Sequence, residues 1–167
     1  QLPTQSSSII NETYNFKTSK LVSDGNSIFI SNNKNEFYSI DVKTGTTNWI
    51  SDIKSNITPV ITGNLIFTVS NEGYLYAIEK NKGNIIRVTD LFKIYKQKKR
   101  KNIYPIGFVI GNKNLYLTNS DGKMIVVDLQ NGSIIKTEKV SSNLVSKPFI
   151  FNNNLFLIRN GSIIQYN

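Results

Sequence analysis

The chain contains no cysteine and no histidine. That removes disulfides, zinc sites of the usual ligand types, thiol nucleophiles and any Ser-His-Asp triad. The missing cysteines also leave the redox compartment unmarked. No apolar run approaches the roughly 20 residues that a membrane-spanning helix needs. Acidic residues are scarce, 11 against 20 lysines and arginines. Calcium sites need several acidic oxygens converging in one loop. Glu72, Asp121 and Asp128 instead stand at turns, where capping and solvation account for them. No initiator Met or signal-like stretch precedes Gln1, so a processed protein or a fragment is expected, with any targeting segment lying elsewhere.

Aromatics are plentiful: eight Tyr, nine Phe and one Trp in 167 residues. Aromatic and β-branched side chains pack well across pleated strands, and a chain this long can bury a core. The formal charge of +9 favours acidic partners such as anionic protein surfaces, lipid head groups or nucleic acid. The same lysines also serve plain solubility.

One pattern recurs along the chain. It runs from Gly25 to Gly45, from Gly63 to Gly83 and from Gly111 to Gly132, with a shorter fourth copy reaching Asn167. Each copy opens on an apolar strand: Ile28-Phe29-Ile30, Leu65-Ile66-Phe67, Leu115-Tyr116-Leu117 and Leu155-Phe156-Leu157. A polar turn follows, with Gly73, Gly122 and Gly161 placed for positive φ. Second strands are expected over Phe37 to Val42, Tyr74 to Glu79, Met124 to Leu129 and Ser162 to Tyr166. In the first three copies an acidic residue then starts a turn that closes on glycine: Asp41 to Gly45, Glu79 to Gly83 and Asp128 to Gly132. Third strands follow over Ile85 to Thr89 and Ile134 to Lys139.

The acidic anchors are 38 and then 49 residues apart. A period near 40 with about four short strands per unit describes a propeller blade. The fold class read here is all-β: a single β-propeller segment of about four blades, with repeats near 14–50, 57–89, 104–139 and 145–167. Asp90 to Lys101 is the one helical candidate, and it is too basic to carry a convincing apolar face. Thr13 to Phe16 reads as the outer strand that opens the first blade, because Tyr14 and Phe16 alternate with polar residues; a linker is the alternative.

The motif Ser39-x-Asp41-x-x-Thr44-Gly45-x-x-x-Trp49 resembles the tryptophan-docking motif of the pyrroloquinoline-quinone-like (PQQ-like) repeat family. The resemblance implies that Trp49 folds between neighbouring blades, with Asp41, Thr44 and Gly45 directing it. The later copies place Ile85-Ile86-Arg87 and Ile134-Ile135-Lys136 where the Trp would be, so aliphatic docking is expected there. Within that family the C-terminal order is similar to the BamB-type lipoproteins of outer-membrane β-barrel assembly. Those have eight blades, so the resemblance covers a C-terminal half. It implies a non-catalytic scaffold in the periplasm at the outer membrane, with no cofactor, no metal and no catalytic residue. The partner would be the barrel-assembly machinery or unfolded outer-membrane proteins. Other PQQ-like or WD40-like ligand- or protein-binding propellers are the alternative. A quinoprotein dehydrogenase remnant is disfavoured, because the chain lacks a cysteine pair and a Trp outside the docking motif.

The longer second interval places its surplus at residues 91–105. This insert carries Lys93, Lys96, Lys98, Lys99, Arg100 and Lys101 around Tyr95 and Tyr104. Lys96, Lys98, Lys99, Arg100, Lys101 and Tyr95 are the partner-contact candidates, on a loop expected to protrude toward an acidic partner or an anionic surface. The alternative is a solvated loop. One basic loop without a reader motif does not make a nucleic-acid site. Half a ring would leave apolar blade faces bare, so self-association through open faces is a further expectation.

Overall fold

Two-residue turns at Gly63-Asn64, Asn112-Lys113, Asn152-Asn153 and Asn160-Gly161 fold the apolar runs back on themselves. At Asn112-Lys113 both residues have positive φ, 46° and 67°, the geometry whose twist matches that of the flanking strands. A computed structural model describes residues 16–142 and 145–166. It contains four antiparallel sheets, each a simple meander. Sheet 1 holds β1 (Val22–Ser23), β2 (Ser27–Ser31), β3 (Phe37–Asp41) and β4 (Thr47–Ser51). Sheet 2 holds β5 (Val60–Thr62), β6 (Leu65–Val69), β7 (Tyr74–Glu79) and β8 (Ile85–Asp90). Sheet 3 holds β9 (Pro105–Gly111), β10 (Asn114–Asn119), β11 (Lys123–Asp128) and β12 (Ile134–Lys139). Sheet 4 holds β13 (Phe149–Phe151), β14 (Asn154–Arg159) and β15 (Ser162–Tyr166). These are the blades of a β-propeller. The strand expected over Thr13 to Phe16 lies almost wholly outside the described residues.

The repeat holds at the level of register. A β-bulge interrupts the third strand of each complete sheet at the same place: Ser39/Ile40, Ala77/Ile78 and Val126/Val127. Two residues after the start of each bulge comes the acidic anchor. In each turn the anchor carbonyl accepts from the amide of the closing glycine: Asp41 from Gly45 at 3.0 Å, Glu79 from Gly83 at 2.9 Å and Asp128 from Gly132 at 2.8 Å. Asp41 Oδ1 also accepts from the Lys43 and Thr44 amides and the Thr44 hydroxyl.

Alternation decides which blade meets which. Phe29 of β2 packs with Ile66 and Ile78 of sheet 2. Phe67 and Val69 of β6 pack with Leu115 and Leu117 of sheet 3. Met124 and Val126 of β11 pack with Leu155 and Leu157 of sheet 4. One face of each strand therefore meets the preceding blade, and the next residue along meets the following one.

Trp49 docks as its motif implies. Its indole Nε1 donates to the Lys80 carbonyl oxygen of sheet 2 at 2.9 Å. Its ring lies over Gly83, where an added Cβ would approach to 2.6 Å. Phe37 meets it edge-on at 5.6 Å. The aliphatic docking expected for the later blades is corrected by Arg87, which occupies the position of Trp49. Trp49 pairs with Ser39, Arg87 with Ala77 and Lys136 with Val126, each beside the bulge. Arg87 donates to the Leu129 carbonyl at 2.6 Å and the Gln130 carbonyl at 2.7 Å, and it leaves no room for a Cβ on Gly132. Both side chains are planar N–H donors that pack against a glycine and reach a turn carbonyl, which explains the exchange. Lys136 instead lies 5.7 Å over the Tyr166 ring of sheet 4. Ile86 and Ile135, half of the expected aliphatic contact, are more than half exposed.

Candidate functional site

The insert joins the outer strand β8 to the inner strand β9. In a meander, that crossing and the β6–β7 and β10–β11 turns fall on one rim, while the docking turns fall on the other. Asp90 opens the insert by accepting the Phe92 amide at 3.0 Å, and a 3₁₀ turn runs over Leu91–Ile94. A single α-helical turn follows at Gln97–Arg100. The segment judged too basic for an apolar face has one. Leu91 and Phe92 are fully buried, and Tyr95 and Ile103 nearly so, all within the core shared by sheets 2 and 3. The apolar residues are spaced among the lysines, so composition hides them. The expected protruding loop is therefore seated at its base, and only its lysine-bearing side faces solvent.

Each anchor has a partner. The Phe92 ring lies directly on Gly73, with no space for a side chain there. The Leu91 amide donates to the Gly73 carbonyl at 3.0 Å. At the other end the Ser120 amide donates to the Tyr104 carbonyl at 2.9 Å. The insert is thus tied to the β6–β7 turn of sheet 2 and the β10–β11 turn of sheet 3.

Tyr95 lies beneath the lysines. Its hydroxyl donates to Asp121 Oδ1 at 3.0 Å and accepts from Asn119 Nδ2 at 3.2 Å. Burial holds its phenol well above the ordinary range, so it remains a neutral donor. Phe92 meets it edge-on at 5.4 Å. Lys123 and Lys99 sit over its ring at 4.8 and 5.8 Å, and Lys99 also lies 3.6 Å from Asp121. Sequence reading missed Asn119 and Asp121, and turn-capping alone had accounted for Asp121. Their signal is a polar pair opposite a buried tyrosine, visible only once the insert is folded down.

The six candidates therefore divide. Tyr95 is an anchor in the core. Arg100 is half-buried: it bonds Asp90 at 2.7 Å and lies 5.1 Å over the Tyr74 ring. Lys99 is exposed and pairs with Asp121. Lys96, Lys98 and Lys101 are exposed, and, with Lys93, have no acidic partner among the described residues. Beside them a cleft is lined by Asn71, Glu72, Gln97, Arg100, Lys101 and Ile103. Asp41, Thr44, Gly45 and Trp49 belong to the opposite rim, where they serve blade docking. Chemically, the insert can bind anionic groups through ammonium donors on a fixed base.

A family model described as outer membrane protein assembly factor BamB matches residues 2–89, more than half of the chain. None of the curated proteins matches. Among solved structures, the chain is similar to BamB from Moraxella catarrhalis, with a TM-score of 0.70 and 15% identity. That match covers 88% of this chain and 41% of that one, so the chain spans about two-fifths of its length. The computationally designed Ika4 protein matches with a TM-score of 0.68 and 11% identity, covering 89% of each chain. The β-propeller domain of Myceliophteria thermophila Cps50 (Swd1) matches at 0.62 and 11%, covering 84% of this chain and 48% of that one. With its bulge-phased blades and docked tryptophan, the chain belongs to the family of outer membrane protein assembly factor BamB.

Proposed function

We propose that this chain is a non-catalytic scaffold of outer-membrane β-barrel assembly, acting in the periplasm at the outer membrane. The observation that carries this reading is the seated insert. It presents Lys96, Lys98 and Lys101 to solvent from a base fixed by Leu91, Phe92 and Tyr95. Flexible cationic loops lose side-chain and backbone freedom on binding, whereas a seated one has already lost part of it. Ammonium groups on such a base fit an acidic surface of the assembly machinery and steer its approach. The outer strands β4, β8 and β12 add a second means of contact, because an extended client can pair with a free strand edge. Family membership supports the setting, and no bond is made or broken.

The test uses the purified β-barrel assembly machinery and compares the wild type with a Lys96→Gln/Lys98→Gln/Lys101→Gln variant. The expected result is binding by the wild type that weakens with added salt, and at least about tenfold weaker binding by the variant. Equal binding by both would return the insert to solvent and place the contact elsewhere. No binding by the wild type would overturn the assembly role and favour another ligand- or protein-binding propeller.

A further inference from the structure

The fold fixes Arg100 before any partner arrives. Its Nη1 donates to Asp90 Oδ2 at 2.7 Å and its Nη2 to the Glu72 carbonyl oxygen at 3.3 Å. Its guanidinium lies 5.1 Å over the Tyr74 ring, and the side chain is three-quarters buried, at 25% exposure. Those bonds use two of the five guanidinium N–H groups and leave others to a ligand. A free lysine gives up rotamer freedom when it binds, whereas this fork has already done so.

Arg100 lines the cleft of about 450 Å³ between the insert and the β6–β7 turn. Lys101 lines it too, exposed and without an acidic partner among the described residues. Gln97 and Asn71 add two amides, and the nearly buried Ile103 adds an apolar patch. Glu72 is the cleft's own carboxylate, and Lys54 at 3.8 Å offsets its charge. Every lining residue falls between Asn71 and Ile103, so the walls come from sheet 2 and the insert alone. Two cations, two amides and an apolar patch in a recess match a carboxylate on a short aliphatic stem. Guanidinium and carboxylate are both planar and pair through parallel hydrogen bonds.

We infer that this cleft receives one acidic side chain, Glu or Asp, of the protein partner, with its carboxylate in the fork of Arg100 and the Lys101 ammonium beside it. This site rests on the insert being the partner-binding surface proposed above, and it locates the selective contact within that surface. Lys93, Lys96 and Lys98 then act at longer range and steer an acidic surface toward the cleft. The geometry at Arg100 selects where that surface stops.

The test titrates the 167-residue chain with a tetraglutamate peptide capped at both ends, followed by NMR at the Arg100 Nε–H and the Gln97 side-chain amide. Saturable shifts at both are expected. Arg100→Lys keeps the charge but loses the fork, and should weaken binding at least about fivefold. Lys93→Gln removes a whole charge outside the cleft, and should weaken it by less than about twofold. Loose charges acting through their field alone predict the reverse order, and that order would overturn the inference. Gln97→Ala changes an exposed, uncharged position, so it tests the cleft even where Arg100→Lys unfolds. It should weaken binding about two- to threefold, and an unchanged affinity counts against the cleft. Tighter binding of inorganic phosphate than of the peptide would overturn the choice of a carboxylate. Purified assembly machinery that binds the wild type and Arg100→Lys alike would overturn the cleft and leave the scaffold reading standing. Peptide binding in the cleft without machinery binding would do the opposite.

Discussion

Trp49 and Arg87 show that a docking position requires a shape and a donor more than a residue type. Trp49→Ala removes the ring from Gly83 and Phe37 and leaves the Lys80 carbonyl without its donor, which should cost about 3 kcal/mol in urea unfolding. Arg87→Ala loses two carbonyl contacts at a more exposed junction and should cost about 1 kcal/mol. Arg87→Trp should recover most of that loss, because an indole fits over Gly132 as Trp49 fits over Gly83. If it unfolds as readily as Arg87→Ala, the equivalence of the two positions is wrong. Asp24 makes a separate link between sheets 1 and 2. Its carboxylate lies 2.8 Å from Lys80 Nζ and accepts the Ser27 and Asn26 amides, which lowers its pKa to about 2. A depressed carboxylate stabilises the fold above its unfolded pKa and ceases to do so as pH falls through the folded value. Asp24→Asn should therefore be less stable than the wild type at pH 7, by about 1 kcal/mol after solvent screening. The gap should close between about pH 4 and pH 2, as read from denaturation midpoints across that range.

At the scale of elements, the insert is a clasp between two blades as well as a charged surface. Tyr95→Phe keeps the ring but strands Asp121 and Asn119 without their hydroxyl partner, which should cost about 1–2 kcal/mol. Phe92→Ala empties the space over Gly73 and should cost about 3–5 kcal/mol. The triple lysine substitution should leave stability within about 0.5 kcal/mol, because those side chains are exposed and without acidic partners. Thermal unfolding of the three variants separates the clasp from the charge. The strands were legible beforehand, since Tyr74–Glu79, Ile134–Lys139 and Ser162–Tyr166 occupy the expected spans. Alternation and turn residues act within a few positions, so they can be read locally. The insert was not legible in the same way. Its apolar residues fit neither a period of two nor a full helical stripe, and their burial depends on the distant turns at Gly73 and Ser120.

Across the whole molecule, three kinds of junction hold the blades in order. Apolar faces interdigitate, planar donors dock on glycine turns, and the insert bridges the opposite rim. The functional idea follows from the side of the insert that this arrangement leaves in solvent, where Lys96, Lys98 and Lys101 are exposed.

The amino-acid order alone determined the repeat, the strand positions, the turn glycines and the tryptophan motif, because each depends on neighbours a few residues away. Tertiary structure decided which outer-strand side chain docks, that Tyr95 faces inward and Lys98 outward, and which apolar faces find a partner. Those outcomes depend on contacts between residues 24 or more positions apart, such as Tyr95 with Asn119, Trp49 with Lys80 and Arg87 with Gln130. Such contacts become definite only when the blades pack against one another.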